Sequence, residues 1–290
     1  MSDRTFLLHG VCLALVVGDY IVRAIRVKIL CDALGHPISF RDAVATNTIG
    51  DAACAVTPVR LGGEPSRLAS LLRAGVPATA SFIVIALESI SSWPVVIATA
   101  VILGVWLVPG WLDRTAPVLV HGIVRNWIWL AVAVAVSVGI WLLLRRRVKV
   151  GPRVTRRPWR RARVYLRRLP ATPLVLSVVL AVLNLACRVA VLPVLMLGLA
   201  DPAPLGPQIL GSFALLYSQL VLPTPAGAGV VDIGLLSGAA GEVGESRLAL
   251  LFWWRFYTTI LGALFGAWFA WRDFGLRAIR RVLAFRLPAE

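Results

Sequence analysis

Charge is scarce in this chain, and acid is scarcer still. Only 15% of its 290 residues are charged, with 14 Asp or Glu against 30 Lys or Arg, for a formal net charge of +16. A soluble domain carries about a quarter charged residues, so an ordinary water-facing surface is excluded. Cysteines number four (Cys12, Cys31, Cys54, Cys187), with no pair at the two-residue spacing of zinc and redox motifs. That rules out a disulfide scaffold and leaves packing as their role. The three histidines (His9, His36, His121) lie far apart, and there is no Gly-x-x-x-x-Gly-Lys run for ATP. Nor does a nucleophile–base pair stand out. No catalytic residue, metal or cofactor is expected, and the chain does not read as an enzyme.

What is present is apolar length: 59% of residues are hydrophobic and the mean hydropathy is +0.82. About 20 residues of helix cross a hydrocarbon core. Five stretches meet that length, 6–27, 77–109, 124–144, 172–199 and 246–271. Two more, 43–59 and 209–231, are interrupted by Pro and Gly. Non-helical backbone survives at membrane depth only when buried in protein or lining a wet cavity, so these two read as re-entrant or broken helices. Within 77–109 the run Ser91-Ser92-Trp93-Pro94 allows either one kinked helix or a hairpin.

Orientation follows the basic loops. Residues 145–168 hold twelve Lys or Arg and no acid, and the tail after Trp271 adds five arginines. Both belong in the cytoplasm by the positive-inside rule. Arg23, Arg26 and Lys28 after the first span, and Arg60, Arg67 and Arg73 around the first broken segment, join them if 77–109 is one kinked helix. The basic loop has few aromatics, which argues for anionic lipid headgroups over nucleic acid as its partner. The expected compartment is a bacterial inner membrane.

The two halves resemble each other. Thr57-Pro58 recurs as Thr224-Pro225 at an offset of 167, and Gly62 recurs as Gly229. Glu64 has a near-equivalent in Asp232, and Glu88 corresponds to Arg255. With 124–144 as a connecting span, the second half is inverted relative to the first. The expected fold is therefore all-α, a polytopic membrane bundle forming one domain over 1–290. It contains repeat A (about 6–109), the connector, the loop 145–168, repeat B (about 172–271) and the tail 272–290. Inverted repeats with discontinuous helices point to a transporter-type site near the midplane.

Ionisable residues inside lipid are costly and mark substrate paths or internal ion pairs. Asp19, Asp51, Glu64, Glu88, Arg188, Asp232 and Arg255 all fall within or beside apolar segments, with Asn47, Asn184 and Gln219 nearby. Asp19 lies near a span end and could simply reach the interface. Pro58, Pro223 and Pro225 break helices, and Gly62, Gly63, Gly227 and Gly229 permit tight backbone. The freed amides and Arg60, Arg67, Arg188 and Arg255 suit a phosphate, while Glu64 and Asp232 could balance those arginines. Burial would raise the pKa of Asp232 or Glu88 and let either titrate.

These residues resemble the flippase-like membrane family that includes the transmembrane region of lysylphosphatidylglycerol synthases. The resemblance rests on Thr57-Pro-Val-Arg-Leu-Gly-Gly-Glu64 with Arg67, on Leu222-Pro-Thr-Pro-Ala-Gly-Ala-Gly-Val-Val-Asp232, and on Arg255. It implies a bundle with re-entrant pieces acting on phospholipids or polyprenyl-phosphate-linked lipids. It also leaves room for an accessory role beside enzymes of hopanoid or glycolipid synthesis. The family usually has Glu where Asp232 stands and Arg where Ser89 follows Glu88. The chain reads as about one span short at its N-terminus, and no aminoacyl-transferase domain is expected after the last span.

Overall fold

The computed structural model describes residues 3–57, 60–107, 170–199, 204–220, 224–236 and 247–283. The chain divides into two compact units, 1–97 with 169–290, and 98–168. The first unit is described below. Of the second, only the end of one helix falls among the described residues, and the expected span 124–144 and the basic loop 145–168 lie outside them.

Helices α1 (Asp3–Ala33), α2 (Phe40–Val56), α3 (Gly63–Arg73) and α4 (Ala78–Leu107) form the first half. Helices α5 (Ala171–Met196), α6 (Leu205–Ser218), α7 (Val230–Leu236) and α8 (Arg247–Arg255) follow in the second. One π-helical turn, Phe256–Ile260, joins α8 to α9 (Leu261–Leu283). Among the described residues, four helices are long and apolar enough to cross a membrane: Arg4–Ala33, Ala78–Trp106, Ala171–Met196 and Leu248–Gly275. The same succession of long, broken, short and long thus occurs twice. Gly63 and Val230, which open α3 and α7, lie 167 positions apart.

Local chemistry sets the ends of these helices. Ser39 caps α2 by accepting the Asp42 amide at 3.1 Å, with Asp42 itself favourable in the first turn. The helix stops at Thr57, which is extended (φ −110°, ψ 141°) as a residue before proline must be. Helix α3 ends where Gly75 adopts φ +87° and the amides of Gly75 and Val76 close back on Leu72 and Leu71. Pro77 then resets the chain for α4.

Two prolines sit inside long helices without ending them. Helix α4 runs through Pro94 as one helix, so the hairpin alternative for 77–109 is excluded. In α5, Pro193 has no amide to offer the Val189 carbonyl. The Ser212 hydroxyl of α6 supplies the missing donor at 2.8 Å. Ser212→Ala should therefore strand that buried carbonyl and destabilise the chain by about 1–3 kcal/mol, measured by thermal unfolding in detergent.

Packing crosses between the halves, α1 against α5 and α2 against α9. Large apolar side chains such as Phe6, Leu7 and Val17 on α1, and Ile97 and Val101 on α4, are exposed. The buried set, apolar for the most part, also contains Asp19, Arg26, Asn47, Glu88 and Gln219. An apolar, lipid-facing exterior with ionisable groups held inside is what a membrane bundle requires. The α2–α9 contact depends on Gly266, where an added Cβ would strike the Thr48 carbonyl and the Ala52 side chain. Gly266→Ala should push these helices apart and destabilise by about 1–3 kcal/mol.

Candidate functional site

The two breaks are built differently. In the first, the Thr57 hydroxyl donates to the Ala53 carbonyl at 2.7 Å and accepts the Gly62 amide at 2.9 Å, tying the break to the end of α2. Gly62 has an ordinary right-handed conformation (φ −71°). Glycine is needed there, and at Gly63, because a Cβ would meet Thr57 and Cys54 respectively. The left-handed residue is Arg60 itself, at φ +57°, a conformation that costs a non-glycine about 1–2 kcal/mol. In the second break the left-handed positions are Ala226, Gly227 and Gly229. Pro58 and Pro223 lie outside the described residues. Pro225 opens a 3-10 turn, Pro225–Gly227, and Thr224 precedes it with a buried hydroxyl that has no partner among the described residues.

A cavity of about 330 Å³ opens against the first break. Its charged wall comes from five helices and the break. It holds Arg23 of α1, Asp51 of α2, Arg60, Glu64 and Arg67 of the break and α3, Glu88 of α4 and Arg188 of α5. Toward α4 and α6 the wall turns apolar through Trp93, Val96, Leu216 and Leu220. Five of the residues expected from the sequence (Arg60, Glu64, Arg67, Glu88, Arg188) therefore share one cavity. Asp232 and Arg255 do not line it; they pair with each other beside the second break.

Most of these charges are neutralised within the wall. Arg23 holds Asp51 in a two-pronged contact at 2.6 and 3.0 Å, and lies 3.7 Å from Asp19. Asp19 also accepts from the Asn184 amide. Arg67 is in close ion contact with Glu88 and reaches Glu64 at 3.6 Å. Glu64 is 59% exposed at the rim. Arg26 lies 4.0 Å from Glu88 and donates to the Glu88 carbonyl and to the Ser91 and Ser92 hydroxyls.

Three sequence expectations need correction here. Arg23 and Arg26 are not loop charges at the membrane surface. Helix α1 continues to Ala33, and both guanidinium groups are buried, their side chains 11% and 2% exposed. Their spacing of three places them on one helix face, inside the span 6–27 rather than after it. Asp19 does not reach an interface, because Arg23 and Asn184 hold it inside.

The third correction concerns Asp232, which lies outside the four long spans. Partial burial raises its pKa, but the Arg255 hydrogen bond, the Gly229 amide and the Arg255 charge together bring it below the ordinary carboxylate range. Asp232 is therefore not poised to titrate near neutrality. A depressed folded pKa contributes stability above the unfolded value, lost as pH falls through the folded one. Wild type should thus lose stability as pH drops below about 4. Asp232→Asn should show a shallower loss in acid melting curves.

The halves carry matching ion pairs with the signs exchanged. In the first, a base on the short helix (Arg67) meets an acid on the following long one (Glu88). In the second, an acid on the short helix (Asp232) meets a base on the following one (Arg255) at 2.6 Å. Arg255 also donates to the Ala226 carbonyl at 2.8 Å and the Gly227 carbonyl at 3.5 Å, stapling the left-handed break to α8.

Four membrane-length helices among the described residues, three of them lining a charged cavity, define a multi-pass membrane protein. The profile of the lysylphosphatidylglycerol synthase transmembrane region matches residues 2–266. The chain belongs to this family, and its setting is therefore membrane-lipid chemistry. No curated protein and no solved structure gives a significant match.

Proposed function

We propose that this chain moves a phospholipid or a polyprenyl-phosphate-type lipid between the leaflets of a bacterial inner membrane, its C-terminus cytoplasmic. The observation that carries this reading is the cavity wall, which joins paired charges on one side to Trp93, Val96, Leu216 and Leu220 on the other. A headgroup can be desolvated against the first while acyl chains stay against the second or in lipid. The twofold helix succession supports inverted halves, in which the ligand enters beside one break and leaves beside the other. Arg60, Glu64, Arg67, Glu88 and Arg188 then meet the headgroup. Asp232 and Arg255 hold the exit-side break.

The test is leaflet-resolved bleaching of a fluorescent phosphatidylglycerol in vesicles containing the purified chain. Protein-dependent loss of the inner-leaflet signal is expected. Folded protein without any such loss would contradict the reading.

The basic run 145–168 favours a second reading, an accessory subunit docking lipid-synthesis enzymes or anionic headgroups. That role gives no exchange, and a defect only when the loop is changed.

A further inference from the structure

The charges of the cavity do not cancel. Its lining holds four arginines (Arg23, Arg60, Arg67, Arg188) against three carboxylates (Asp51, Glu64, Glu88). The groups paired to that lining, Arg26 and Asp19, add one charge of each sign, so an excess of one positive charge remains. The excess has an address. Arg23 and Arg67 each hold carboxylates within 4.0 Å. Among the described residues, neither Arg60 nor Arg188 does, but Arg188 stands in the field of Asp19 and Asp51, which Arg23 alone does not balance, so the excess falls on Arg60. Arg60 donates to the Gln219 amide oxygen at 3.3 Å, a neutral and exchangeable partner.

Both arginines also line a second, smaller void that shares Asp51 and Cys54 with the first. They reach this region from different halves, Arg60 from the left-handed residue of the first break and Arg188 from the middle of α5. A guanidinium whose charge is not balanced, as at Arg60, is unfavourable in a membrane interior unless an anion meets it. Two guanidinium forks converging from opposite halves suit an oxyanion with several acceptor oxygens.

We infer that Arg60 and Arg188 form a phosphate clamp selective for a singly charged phosphodiester, the class of an ordinary phospholipid headgroup linkage, over a doubly charged phosphate monoester. This deepens the proposed function and rests on it for the lipid source. The monoester exceeds the available charge by one, whereas the diester matches it. The neutralised Arg23 and Arg67 shape the wall, and Arg255 lies outside it.

The test measures binding to the full chain in detergent by intrinsic-fluorescence melting. Four probes share the conditions: short-chain phosphatidylglycerol, short-chain phosphatidate, the matching diacylglycerol and inorganic phosphate. Phosphatidylglycerol should bind at least tenfold more tightly than each of the others. Arg60→Gln and Arg188→Gln should each weaken it at least tenfold, and the Lys variants should fall between. Arg272→Gln, whose guanidinium lies over the Trp268 ring away from the cavity, should bind as wild type does. Wild-type affinity in both Gln variants would overturn the clamp, and equal binding of diacylglycerol would remove the phosphate. Phosphatidate binding as tightly as the diester would overturn the charge match. Inorganic phosphate binding as well as the lipid would make this a free-anion site. A chain that binds the diester yet exchanges no lipid would sink transport and leave the clamp standing.

Discussion

Glu88→Gln is expected to destabilise the protein by about 3–5 kcal/mol, the range for removing one partner from a buried ion pair. Glu88 is 6% exposed and answers two buried guanidinium groups, Arg67 in close contact and Arg26 at 4.0 Å. Removing its charge strands Arg26 and leaves Arg67 only the exposed Glu64 at 3.6 Å. The loss should appear as a large drop in melting temperature of the detergent-solubilised chain. Arg67→Gln should cost less, because Glu88 keeps Arg26. The double variant Arg67→Gln/Glu88→Gln should lose less than the sum of the two singles, since the Arg67 charge that Glu88→Gln leaves poorly compensated is absent from it. Strict additivity would show that the two groups do not depend on each other.

Arg255→Ala should bring lipid exchange down to the rate of protein-free vesicles while the chain still folds. Its side chain makes three contacts, to Asp232, the Ala226 carbonyl and the Gly227 carbonyl. Ala226 sits at φ +50° and does not hold that conformation unaided. Without the staple the second break relaxes, and the path that the first break opens has no exit. Asp232 is 28% exposed, so water can solvate it and the stability cost stays within about 1.5–3 kcal/mol. Arg255→Lys should recover little exchange, because an ammonium cannot span the carboxylate and both carbonyls. Exchange at the wild-type rate in Arg255→Ala would show that the second break has no part in the path.

Much of this was legible in the sequence because the physics is one-dimensional. Apolar length gave the long helices, and proline with glycine gave both breaks near Thr57 and Thr224. The offset of 167 that aligned Thr57 with Thr224 also aligns the first residues of α3 and α7. Intramembrane charge pointed to Arg60, Glu64, Arg67, Glu88 and Arg188, which share the cavity.

What the sequence hid depends on three-dimensional pairing. Arg23 and Arg26 looked like a span's basic flank, since nothing local distinguishes a snorkelling arginine from one held by Asp51 or Glu88 across the bundle. The glycines at 62 and 63 and those at 227 and 229 read alike. Their reasons differ, close approach in one break and backbone sign in the other. Nor could spacing show that Asp232 and Arg255 satisfy each other, leaving Arg60 and Arg188 as the cavity arginines without a direct ion pair among the described residues.

Ser89 stands in the cavity wall next to Glu88, and a thiol there reports who can reach the site. In a chain with its four native cysteines replaced by alanine, Ser89→Cys can be labelled in oriented vesicles with a reagent that cannot cross lipid. Modification from either side of the membrane, slowed by added phosphatidylglycerol, is the outcome a headgroup path between leaflets predicts. Modification from one side only, with lipid present or absent, would contradict it.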